Sequence, residues 1–271
     1  MPHYICVRCG VQHAATPRPP THCPICADAR EAVNATGQTW TTLEQLRADH
    51  QNVVQPEEPG LLGITTEPAF AIGQRALLVQ APGGNVLWDC LSLIDDRTVA
   101  AIQQQGGLVA IASSHPHLHG ALVAWSQAFG GVPIYVHSAD RAWVLRPDPA
   151  VTFWEGATHR LAEGLTLVRC GGHFAGSTVL HWAAGAAGRG ALLTGDTIQV
   201  VADHRYVSFM WSYVNLIPLS AAAVRAIVAA VAPFDYDRIY GGWWGAVVAN
   251  EAQAAVARSA ERYLQAIAGE R

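Results

Sequence analysis

Ile111-Ala112-Ser113-Ser114-His115-Pro116-His117-Leu118-His119-Gly120 is the stretch on which the reading of this chain turns. The apolar run over residues 108–111 has strand length, and it delivers histidines at alternate positions into a new amphipathic segment. In an extended backbone the side chains at i and i+2 share a side. His115 and His117 are therefore placed to converge on one ion, with Pro116 stiffening the turn between them. Neutral imidazole is the commonest metal ligand, which makes a divalent transition metal the natural occupant. A histidine-rich polar loop has the same local pattern, and the downstream chain separates the two readings.

Composition limits the function classes. At 271 residues and 51% hydrophobic content the chain can bury a sizeable core. Its 17 basic residues are all arginine and stand against 21 acidic ones, for a formal charge of −4. That balance gives neither a nucleic-acid footprint nor a polybasic membrane patch. The first residues, Met1-Pro2-His3-Tyr4-Ile5-Cys6, lack a charged start and an apolar run, and Arg225 interrupts the alanine-rich stretch 221–234, so neither a signal peptide nor a membrane span is expected. Of the six cysteines, four fall in paired CxxC spacing, which in a reducing, cytoplasmic setting favours metal over disulfides.

Those four are Cys6, Cys9, Cys23 and Cys26, two knuckles joined by a Pro-rich loop, the arrangement that closes a tetrahedral thiolate site. So short a segment has no adequate core of its own, and metal binding supplies the missing folding energy. Residues 1–40 resemble a zinc ribbon, and more narrowly the rubredoxin-like module, in the knuckles Cys6-Val7-Arg8-Cys9-Gly10 and Cys23-Pro24-Ile25-Cys26. The resemblance implies either an iron centre that passes electrons or structural zinc. Zinc is preferred because no further electron-transfer feature appears. His3, His13 and His22 are read as neighbours of the cysteines or as solvated groups. Residues 41–60 read as a capping-box helix from Thr41-Thr42-Leu43-Glu44 to about Asp49, followed by a polar linker from 51 to 60. A second domain then runs over 61–271.

In that domain, strands are expected at 69–72, 75–79 and 86–90, with a turn at Pro82-Gly83-Gly84-Asn85 and a helix over 95–105. Leu118, Leu122, Trp125 and Phe129 recur at helical spacing and read as a buried face. His137, ending a strand at 133–137, reads as structural. A strand at 165–169 runs into Cys170-Gly171-Gly172-His173-Phe174-Ala175-Gly176-Ser177, a tight loop that presents a histidine from a sheet edge. Another strand, 178–182, leads to Ala191-Leu192-Leu193-Thr194-Gly195-Asp196, where the aspartate is an edge ligand or an Asx turn. Alanine-rich amphipathic helices are expected over 220–231 and 251–267.

The HxH cluster after a strand, the Gly-His-x-x-Gly-Ser loop and the Leu-Leu-x-Gly-Asp strand end, in that order, resemble the metallo-β-lactamase superfamily over residue 61 to the C-terminus. The resemblance implies an α/β fold, an αββα sandwich with a metal site along one edge of its sheets, here preceded by a small four-cysteine zinc ribbon. It places His115 and His117 on the first two histidines of the family's HxHxDH motif, His173 on the histidine of the second motif, and Asp196 on the aspartate that usually bridges two metals. His119 and Gly120 stand where that motif has aspartate and histidine. A late family histidine is missing around 239–243, where Trp243 falls. A mononuclear site holding zinc or iron is therefore implied, with His119 and Asp196 as proton-handling groups and Trp211, Tyr213 and Trp243 beside the substrate. For Phe209 and Trp211, ordinary sheet packing is an equal reading. The implied activity is a metal-dependent hydrolase on a small-molecule substrate. A non-haem iron oxidoreductase and a ligand-binding protein without turnover are the alternatives, and homo-oligomerisation is left open.

Overall fold

Continuous apolar runs, rather than alternating ones, build the centre of the first sheet. Every residue of Ala76–Val79, Val86–Trp88 and Ala110–Ala112 is buried, the pattern of strands covered on both faces. In the computed structural model, which describes residues 1–270, the chain forms two units, Met1–Trp154 and Glu155–Arg271.

The first unit holds a seven-stranded sheet in the order Val151–Trp154, Ile134–His137, Ala110–Ala112, Val86–Trp88, Ala76–Val79, Leu61–Glu67 and Gln51–Glu58. From Gln51 to Trp88 neighbours are antiparallel; from Val86 onward they are parallel. Parallel partners need crossovers, and the helices Asp96–Gln104 and Leu122–Ala128 supply them. Asp95 caps the first of these, its carboxylate accepting from Thr98 N at 2.7 Å. Ile102, Leu122 and Trp125 pack on Leu78, Leu87, Ile111 and Ile134 to form the core. The histidine stretch leaves the carboxyl end of a central parallel strand, where open α/β sheets place their ligands.

Three local expectations change. The stretch read as a linker is the strand Gln51–Glu58, paired with Leu61–Glu67 at the edge of the sheet. Its polar, proline-bearing composition belongs to an edge, where Pro56 costs no central ladder bond. Residues 69–72 form a turn rather than a strand, with Ala71 at φ 54°, and Phe70 packs with Ile5 and Leu46. The capping box exists one residue later than read: Thr42 accepts from Gln45 N at 3.3 Å, and Gln45 returns the bond to Thr42 N at 3.0 Å.

The N-terminal strands Gln12–Ala15, His3–Cys6 and Trp40–Thr42 make a small antiparallel sheet. Each knuckle is closed by a backbone bond, Gly10 N to Cys6 O at 2.8 Å and Ala27 N to Cys23 O at 3.0 Å. All four knuckle sulfurs are buried, with Cys6 to Cys26 at 3.5 Å and Cys9 to Cys23 at 3.7 Å. Hydrogen bonds from Cys26, Cys6 and Cys9 hold the Cys23 thiol far below the usual range, while bonding to Cys23 pushes Cys26 far above it. Gln38 Nε2 donates to Cys6 Sγ at 3.1 Å, and His13 is buried edge-on against Trp40. The module is bonded to the rest of its unit through Gln12 N to Gly120 O at 2.9 Å, Ala14 N to Leu145 O at 2.9 Å and Ser92 Oγ to Gly10 O at 2.7 Å.

The second unit is built on a six-stranded sheet ordered Thr158–Ala162, Leu165–Arg169, Thr178–Trp182, Ala191–Gly195, Arg238–Gly241 and Val247–Val248. The helices Ala221–Val231 and Ala252–Ile267 bury Val224, Ile227 and Val231, and Ala255 and Val256, against Val168, Val179, Leu192 and Ile239. No described helix is long and apolar enough to cross a membrane.

Two outcomes follow from this packing. Gly120 sits at φ 51°, and a Cβ there would lie 2.6 Å from Leu91 C. Gly120→Ala is expected to lower the unfolding free energy by about 1–3 kcal/mol, read by denaturant titration; an unchanged midpoint contradicts the close approach. Cys23→Ser is expected to remove one metal ion per chain and to lower the melting temperature. Full metal content with an unaltered melting curve would rule out a four-cysteine site.

Candidate metal centre

Asp89, which ends the strand Val86–Trp88, is buried and left-handed at φ 59°. Its carboxylate accepts from Ser114 N at 2.7 Å and from Ser113 Oγ at 3.5 Å, fixing the loop that carries the histidines. Ser114 Oγ in turn lies 2.9 Å from His115 Nδ1. His115 is extended at φ −172°, whereas Pro116–Leu118 is a turn of 3₁₀ helix, so His117 does not continue the extended segment that the alternation suggested. The two rings still meet, 5.3 Å between centroids and 80° between planes. A proline at the first helical position starts that turn at no cost in backbone donors.

His119 takes a different direction. It is buried, it lines a hollow with Val11, Gln12, Gly120, Leu145 and Arg146, and it bonds the backbone of Trp143. Burial lowers its pKa to about 4, against the opposing pull of that hydrogen bond. Gly120, one residue on, has its carbonyl taken by Gln12 and no room for a side chain.

In the second unit, Gly171 at φ 66° and Gly172 at φ 82° turn the chain into His173. Ser177 closes the loop: its Oγ accepts from Phe174 N at 2.8 Å and its carbonyl accepts from Cys170 N at 2.8 Å. His173 Nδ1 lies 2.9 Å from the Trp211 carbonyl and 3.2 Å from that of Met210. Carbonyls only accept, so Nδ1 carries a proton, and Nε2 is the nitrogen left to serve as a ligand atom. Asp196 follows the strand Ala191–Gly195, where Gly195 turns left-handed at φ 55°. Tyr213 Oη donates to the Asp196 carbonyl at 2.7 Å, and its ring lies 5.6 Å from that of His173. Burial raises the Asp196 pKa, with the nearby His173 pulling it down. Burial, and then the Asp196 charge, push the Tyr213 phenol well above its ordinary value.

One ligand atom from each of His115, His117, His173 and Asp196 lies within 4.8 Å of every other, and all four residues are buried. Imidazole nitrogens and a carboxylate oxygen converging at this range suit a divalent transition metal, and His173 already presents the correct tautomer. His119 does not belong to that group. Cys6, Cys9, Cys23 and Cys26 form a second group of the same kind. Phe209 is fully buried against Tyr263, so packing is its role, and Trp211 is partly buried against the same core. Trp243 lines an open surface hollow with Gln199, His204 and Trp244. Sequence reasoning missed Asp89 and Ser114. The signal was present, since Trp88-Asp89 is an aspartate closing an apolar strand, the same cue that marked Asp196.

No family model matches the chain. Among solved structures, the DIM-1 metallo-β-lactamase is similar with a TM-score of 0.61 and 15% identity, over 80% of this chain and 98% of that one. VMB-1 gives 0.60 and 12% over 80% and 98%. The mono-zinc form of FIM-1 from Pseudomonas aeruginosa gives 0.55 and 17% over 78% and 95%. At these identities the likeness is one of fold. The uncharacterized protein YmaE of Bacillus subtilis (strain 168) is 50% identical over 272 residues, covering 100% of this chain and 98% of that protein. With its metallo-β-lactamase fold and its N-terminal four-cysteine cluster, the chain belongs to the family of YmaE.

Proposed function

We propose that this protein is a metal-dependent hydrolase that works with a single ion, zinc by preference, on a small and fairly apolar substrate. The convergence of His115, His117, His173 and Asp196 within 4.8 Å carries the reading. The mono-zinc form of FIM-1, a protein of the same fold, is consistent with one zinc in such a scaffold. His115, His117, His173 and Asp196 would hold the ion, which when bound would supply Lewis acidity for hydrolysis. The residues do the rest. His115, His117 and His173 hold position through their fixed loops. Asp196, anchored by Tyr213, orients the attacking water and accepts its proton. His119, read from the sequence as a proton-handling group, instead turns into the hollow beside Gln12 and Arg146 and is given no part in proton transfer. Trp211, Tyr213 and Trp243 provide the apolar and aromatic surface beside the substrate.

With Gly120 and Trp243 in place of two further ligands, this reading gives no two-metal clamp of the kind that phosphoryl transfer uses to hold attacking and leaving oxygens. A neutral ester or amide suits it better than a phosphodiester, and no nucleic acid or membrane partner is proposed. The four-cysteine site is assigned structural zinc. Six free cysteines, four of them grouped as metal ligands, fit a reducing compartment, so we place the protein in the cytoplasm.

Metal analysis of the full chain should find two ions, falling to one in His117→Ala together with loss of hydrolysis. His119→Ala should keep both ions, because His119 lies outside the ligand group and bonds the Trp143 backbone, and should lose far less rate than the roughly 10²- to 10⁴-fold expected for a proton-transfer group. Unchanged metal content in His117→Ala would dismiss this centre. Phosphodiester cleavage should be absent; metal-dependent cleavage of DNA or a model diester at ordinary enzyme rates would exclude the single-ion reading.

A further inference from the structure

Exposed apolar side chains are not scattered evenly over this protein. Among the described residues eight large ones stand exposed, and three of the eight fall in one turn: Val214 at 43%, Leu216 at 79% and Ile217 at 41%. A single exposed apolar residue is ordinary, whereas a cluster at a loop tip marks a contact surface. The turn joins Met210–Ser212 to Ile217–Pro218, two short strands paired as a hairpin. Asn215 N donates to the buried Ser212 Oγ at 3.0 Å and Leu216 N to Tyr213 O at 3.4 Å, which gives the tip a fixed shape. Leu216 is held there at φ 56°, a left-handed conformation that costs a bulky side chain energy. Strain of this kind gathers at ligand clamps and active sites.

The base of the same hairpin is tied to two of the metal ligands. Met210 and Trp211 set their carbonyls on His173, while Tyr213 bonds the Asp196 carbonyl and lies 5.6 Å from the His173 ring. Val214 follows Tyr213 directly, so the apolar tip is a short continuation of the element that positions the ligands. Three side chains are far fewer than the roughly 20–30 residues per side of a stable protein interface, and the occupant they fit is correspondingly small.

We propose that the 213–217 turn is the specificity element of the hydrolase, packing Val214 and Leu216 on the aliphatic acyl chain of an ester substrate. This rests on the hydrolase reading above and names its substrate class. Acetate, butanoate, hexanoate and octanoate, the acyl halves of such esters, are titrated by calorimetry into the zinc-loaded full chain, and p-nitrophenyl esters of the same acids are assayed in parallel. In the wild type, affinity and kcat/KM are expected to rise with chain length, by up to about fourfold for each CH₂ buried. Leu216→Gly suits the left-handed backbone, so zinc content and melting temperature should hold while the octanoate-to-acetate ratio falls about tenfold or more. Val214→Ser should lower the same ratio without altering position 216. A merely structural role for the turn would leave that ratio alone. No rise with chain length in the wild type, or a ratio within about twofold of wild type in both variants, overturns the proposal. So does a concentration-dependent mass in sedimentation that Leu216→Gly abolishes, which would make the tip a contact between copies. Chain-length-dependent binding that Leu216→Gly removes, in a protein that cleaves no ester, supports the acyl site and dismisses the hydrolase.

Discussion

A carboxylate buried at the end of a strand has to be hydrogen-bonded, and in this protein that requirement holds the histidine loop in place. Asp89 is 1% exposed, and groups of Ser113 and Ser114 are among the donors that satisfy it. The loop cannot relax away from the sheet without stranding that charge. His115 is therefore delivered in a fixed direction, with Ser114 against its Nδ1 and its other nitrogen turned to the ion position. The second unit reaches the same end by other means, with backbone carbonyls of Met210 and Trp211 on His173 and the Ser177 bonds behind it. In both cases the ligand nitrogen is selected by what the opposite nitrogen touches.

Much of this was legible in the sequence. Strand and helix positions in the second unit agree closely with the expected ones, because Leu165–Arg169 and Thr178–Trp182 are bounded by glycine turns and the two long helices have clean amphipathic spacing. The convergent group of His115, His117, His173 and Asp196 was legible as well, each member following an apolar strand. Less visible were features that depend on tertiary neighbours. Gln51–Glu58 looked like a linker because an edge strand facing water has a linker's composition. Glu31 lies in an irregular segment with no periodicity, and only the docking of the module brings it to His117. His119, standing between a 3₁₀ turn and the entry to the next helix, begins a different face from His115 and His117, as its place in the sequence suggests.

The N-terminal module is thus more than an appended ribbon. It covers Gly120 and Ser92 from one side, takes the Gly120 carbonyl for its own strand, and packs its cysteines with Trp143 and Leu145. Its two knuckles stiffen a segment too short for a core, and the stiffness is passed on to the residues that it touches.

Gly120 carries a steric consequence. At φ 51°, with Leu91 carbon and oxygen 2.6 Å from any added Cβ, the position rejects every side chain, the histidine of the superfamily motif included. Placing a side chain there would require the Cys90–Leu91 backbone to move. A bare glycine at this position is thus what lets the segment after the histidines lie flat against the Cys90–Leu91 backbone while its carbonyl serves as the seam to the N-terminal sheet.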